Sequence, residues 1–127
     1  MSEIKEVSVI GAGFTGKQIA AIIALHNYKV NIFDINLEIL EEARNYINGV
    51  LKRNKKHELT SNIHYYNKLE ETVKNADLVI EAIPESIELK KRIFSEIDKI
   101  APKNAIISTN SSSIPVSKLE GVVERKD

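Results

Sequence analysis

Three glycines and one aspartate stand where they could hold a phosphate and a sugar. In Val9-Ile10-Gly11-Ala12-Gly13-Phe14-Thr15-Gly16 the glycines fall directly after a β-branched run and at the opening of a helical pattern. The first glycine permits a tight turn. The second lets a pyrophosphate approach the backbone with no Cβ in the way, and the third lets the helix lie close to the strand. Amides at the helix start, those of Phe14 and Thr15, would meet the phosphate oxygens. Asp34 ends the next apolar run, roughly twenty residues on, where a carboxylate accepts from the hydroxyls of an adenosine ribose. Its charge would repel a 2′-phosphate, and the following Ile35 and Asn36 bring no compensating arginine. NAD is therefore expected ahead of NADP. FAD and S-adenosylmethionine stay open on fold grounds.

Those residues need a sheet to carry them. Glu6 to Ile10 and Lys29 to Phe33 read as buried strands, Ile63 to Tyr66 as a weaker one, and Asp77 to Ile80 and Ala105 to Ser108 as two more. Between them lie helical patterns from Phe14 toward Asn27, from Leu37 to Leu51 behind a capping Asn36, and from Ile87 to Ile100. Val116 to Leu119 suggests a further helical turn. Strands alternating with helices predict a Rossmann-like, doubly wound parallel sheet: a single α/β domain over residues 1–127 with three α/β/α layers.

Composition narrows the partners. The 127 residues carry 18 basic and 18 acidic side chains, so no global charge favours nucleic acid or an anionic membrane. No run approaches the length of a membrane span, and the polar Met1–Glu6 start is unlike a secretory signal, so a cytoplasmic protein is expected. With no cysteine, disulfides, thiolate chemistry and cysteine-bound zinc are excluded. His26, His57 and His64 lie in unrelated segments without ligand spacing, and no metal is expected.

The segment Ala76-Asp77-Leu78-Val79-Ile80-Glu81-Ala82-Ile83-Pro84-Glu85, then Leu89-Lys90, then Ser108-Thr109-Asn110-Ser111-Ser112-Ser113 resembles the amino-terminal domain of 3-hydroxyacyl-CoA dehydrogenases. The likeness covers nearly the whole chain. It implies oxidation of an (S)-3-hydroxyacyl-CoA to the 3-ketoacyl-CoA, with hydride passing to NAD while a histidine removes the hydroxyl proton. It also implies that Asp34 holds the adenosine ribose and that Glu85 and Lys90 lie near the nicotinamide half. Ser112 would bond the substrate's reacting oxygen, with Asn110 shaping that turn. By residue type alone, Glu85 and Lys90 also suit the first turn of an amphipathic helix, and Asn110 to Ser113 a capped turn.

The chain departs from the family pattern in two places. Only Lys52 to Asn62 spans the connection where the family has a longer helical excursion, and its basic run, Lys52 to Lys56, resembles a region that can approach CoA phosphates but better suits a solvated helix end. The family's histidine base, its glutamate partner and the helical domain that completes the acyl pocket fall beyond Asp127. The expectation is therefore a cofactor domain that binds NAD without turnover and meets acyl-CoA only with the missing helical domain, its protein partner being either further copies of itself in a homo-oligomer or the other subunit of a split enzyme. A stand-alone NAD-binding sensor and the cofactor domain of another 3-hydroxyacid dehydrogenase are the alternatives.

Overall fold

The computed structural model describes residues 4–83 and 87–109. Apolar runs with both faces covered form its strands, which is the pattern of a parallel sheet buried between helices. In chain order the elements are β1 (Glu6–Ile10), α1 (Phe14–Leu25), β2 (Lys29–Phe33), α2 (Leu37–Arg53), β3 (Ile63–Tyr66), α3 (Leu69–Val73), β4 (Leu78–Glu81), α4 (Ile87–Ile100) and β5 (Ile106–Thr109). A 3-10 turn, His57–Asn62, leads into β3. All four strand pairings are parallel, in the order β3-β2-β1-β4-β5.

Two cores flank this sheet. Val9, Val30 and Ile32 pack against Ala20, Ala24, Leu40, Ala43 and Ile47 of α1 and α2 on one face. On the other, Ile10, Phe33, Val79 and Ile107 meet Leu69 and Val73 of α3 and Phe94 and Ile97 of α4. The expected three layers are present. Two buried polar side chains on the strands are satisfied, Ser8 donating to Thr72 O and Asn31 to the Glu6 carboxylate.

The last two strands begin one residue later than expected. Asp77 stands just before β4, its amide donating to Glu6 O and its carbonyl accepting from Ile106 N, while its Oδ2 accepts the Lys5 and Glu6 amides, both at 3.0 Å, and fastens β4's approach to the start of β1. Asn36 caps α2 as expected, accepting from the Glu38 and Ile39 amides. After α1, Asn27 takes φ 67°, a left-handed stop that asparagine tolerates. Among the described residues no helix is long and apolar enough to cross a membrane.

Candidate functional site

The chain passes from β1 to β4 through β2 and β3, so β1 has neighbours on opposite sides that are reached by different crossovers. Such a switch point leaves a crevice beyond the carboxyl ends of the strands. Here it is a cleft of about 510 Å³ lined by the glycine turn, the end of β2 with Asp34, and Ala82, Ile83, Leu89 and Ile93.

Each glycine of the turn has its own reason. Gly11 takes φ +107°, and a Cβ there would sit 2.8 Å from Ala82 O. A Cβ at Gly16 would come within 1.8 Å of Gly11 O, so only glycine lets α1 lie against the turn. At Gly13 an added Cβ meets nothing within 4 Å. The fold does not require that glycine, and the space before it is open to a ligand. Gly13 is also the N-cap of α1, with no side-chain cap and no acidic residue in the first turn. The positive end of the helix and the amides of Phe14 and Thr15 are thus left for an anion at the cleft. These features fit the pyrophosphate of a dinucleotide.

Asp34 stands beside that turn. Its Oδ2 accepts the Ala12 amide at 3.0 Å and its Oδ1 the Asn36 amide at 2.9 Å. Two bonds leave lone pairs on both oxygens, enough to accept from two ribose hydroxyls. Apolar surface waits on either side, Ile35 being 81% and Phe14 75% exposed. Both line the cleft.

Of the other expected site residues, Lys90 alone lies among the described residues. Lys90 does not line the cleft: its ammonium is fully buried against the carboxylate of Glu81. Glu81 was not singled out from the sequence, where it reads as a strand-end charge; a lysine nine residues later on the adjoining helix was the available signal. Glu85, Asn110 and Ser112 lie outside the described residues, as does the helical turn expected at Val116 to Leu119. The basic run follows α2 to the amino-terminal end of the sheet, where Lys56 Nζ donates to Leu25 O at the close of α1. It sits at the opposite end of the strands from the cleft. His26 bonds back to Ile22 O and His64 stacks on Tyr66. Among the described residues no three metal-ligating side chains gather.

Residues 6–127 match the family model described as the NAD-binding domain of 3-hydroxyacyl-CoA dehydrogenase. The chain belongs to this family. A probable 3-hydroxyacyl-CoA dehydrogenase of Caenorhabditis elegans is 35% identical over 94% of the chain and 43% of its own length. The mitochondrial hydroxyacyl-coenzyme A dehydrogenase of Rattus norvegicus is 31% identical over 98% of the chain and 44% of its own. Among solved structures, a diketoreductase described as acting on dicarbonyl compounds superposes with TM-score 0.90 at 36% identity, covering 98% of this chain and 48% of that one. The chain thus spans less than half the length of these relatives. Its NAD-binding family, its parallel Rossmann-like sheet and its glycine turn agree.

Proposed function

We infer that this chain is the cofactor domain of an NAD-dependent 3-hydroxyacyl-CoA dehydrogenase. The observation that carries the inference is the Asp34 carboxylate bonded to the turn of Gly11, Gly13 and Gly16 within one cleft. Asp34 takes the adenosine ribose, the Phe14 and Thr15 amides take the pyrophosphate, and Gly16 keeps α1 close enough to aim them. Bound NAD supplies the hydride acceptor. By resemblance, Glu85 and Lys90 serve the nicotinamide half, and Asn110 and Ser112 the substrate's oxygen. The strand register supports the second pair: Thr109 lies opposite Glu81, so β5 ends at the cleft end of the sheet.

By the same resemblance the histidine base and the helical acyl pocket come from outside residues 1–127, through a partner segment or subunit. A cytosolic setting rests on composition alone, and the rat relative is named mitochondrial.

The test is acetoacetyl-CoA reduction followed by NADH absorbance, for the 127-residue chain alone and with the carboxyl-terminal half of a related dehydrogenase. The chain alone should bind NADH without turnover. A positioned base of suitable pKa contributes about a hundred- to ten-thousandfold, and substrate orientation adds a further factor. Turnover should appear on adding the second half. Robust turnover by the chain alone would refute the division of labour, and silence in both arms despite NADH binding would favour a sensor. The diketoreductase match favours a second substrate class, free dicarbonyl compounds, which the same assay ranks against the thioester.

A further inference from the structure

Behind one wall of the cleft lies an ion pair with no part in holding the adenosine ribose or the pyrophosphate. Glu81 closes β4 and Lys90 sits in the first turn of α4; both are fully buried, and the Lys90 ammonium is bonded to Glu81 Oε2. That same oxygen accepts the Ile83 amide at 2.6 Å, and Lys90 Nζ reaches Ile83 O at 3.4 Å. A buried pair is weak evidence for stability, since well-packed apolar side chains of similar volume often serve as well or better. Its effect on geometry is specific. The bonds converge on Ile83, and they join the end of β4 to the start of α4.

The residues joined in this way face the ligand. Ala82 and Ile83 on the β4 side and Leu89 and Ile93 on the α4 side line the cleft, across β1 from Asp34. A dinucleotide with its adenosine ribose at Asp34 and its pyrophosphate at the glycine turn sends its second nucleoside to this wall. We propose that Glu81 is the positioning residue for the nicotinamide end of the site: it holds Ile83 and Lys90 together and so fixes the wall that orders the nicotinamide nucleoside. This assignment depends on a dinucleotide lying in the cleft as inferred above.

The test uses two ligands that share the adenosine and the pyrophosphate. NADH and ADP-ribose, which lacks nicotinamide, are titrated by calorimetry into the chain, into Glu81→Gln, and into the double variant Glu81→Met/Lys90→Met. NADH fluorescence and thermal melting are recorded alongside. Gln keeps the shape and removes the charge, while the Met pair removes both charges and retains bulk. In folded variants NADH should weaken roughly fivefold or more and lose its fluorescence enhancement, while ADP-ribose stays within about twofold. Unchanged NADH binding and fluorescence would overturn the proposal, and so would equal weakening of both ligands. Failure of both variants to fold would assign the pair to the core and overturn it as well. A wild-type chain that binds neither ligand would instead bring down the dinucleotide site itself.

Discussion

Asp34 reaches from the end of β2 to the Ala12 amide in the turn after β1, 3.0 Å away. One carboxylate therefore braces the glycine turn, and in the proposed site it also serves as the ribose acceptor. Asp34→Ala is expected to weaken NADH by roughly 1 kcal/mol or more and to narrow the gap between NADH and NADPH, because hydrogen bonds and charge repulsion are lost together. Fluorescence titration of both cofactors checks this. Equal affinities in the unaltered chain would remove Asp34 from the ribose.

Two glycines of the turn should respond in opposite ways. Gly13→Val places its side chain in open space, so the circular dichroism spectrum should be unchanged while NADH binding is lost. Gly16→Ala drives a Cβ into Gly11 O and should cost about 3 kcal/mol or more of stability, the scale of a severe backbone clash. Chemical denaturation of both variants, with NADH titration of the first, tests the contrast. A Gly13→Val protein that still binds NADH would put the ligand elsewhere.

The Oη of Tyr65 is buried with no hydrogen-bond partner among the described residues. Burial pushes the phenol from its ordinary 10.0 up to about 12, with Arg44 over the ring opposing the shift and Glu41 adding to it. A raised folded pKa means that the protonated phenol is favoured by folding. Its contribution is complete below pH 10 and is lost as pH rises toward about 12. Tyr65→Phe should raise stability near neutral pH by about 1 kcal/mol, since an unsatisfied hydroxyl is removed. It should also flatten the alkaline loss between these limits. Urea denaturation at neutral pH and across the alkaline range measures both effects.

Much of this fold could be read from residue order. The first three strands and the helix of Ile87–Ile100 fall where β-branched runs and three- and four-residue spacing put them, because each buries a regular face. Leu69–Val73 was not legible, since five residues are too few to show a helical period. Asp77 and Glu81 were misplaced at the ends of β4 for a different reason. Each bonds a distant partner, Asp77 the amides of Lys5 and Glu6 and Glu81 the Lys90 ammonium, and no local pattern reports such pairings.

At the site, Gly11, Gly13, Gly16 and Asp34 were legible because their spacing is set by a single strand-turn-helix unit. The nicotinamide wall was not, because it is assembled across a crossover. The remoteness of Lys52 to Lys56 from the cleft likewise followed only once the direction of α2 was known.

NAD is assigned to one location, the cleft at the glycine turn. NAD titrated into the isotope-labelled chain, with the backbone amides followed by NMR, should shift Gly11 to Thr15, Asp34, Ile35, Ala82 and Ile83 most. The amides of Lys52 to His57, at the far end of the sheet, should stay still. Shifts centred on the basic run, or no saturable shift in the glycine turn, would contradict that assignment.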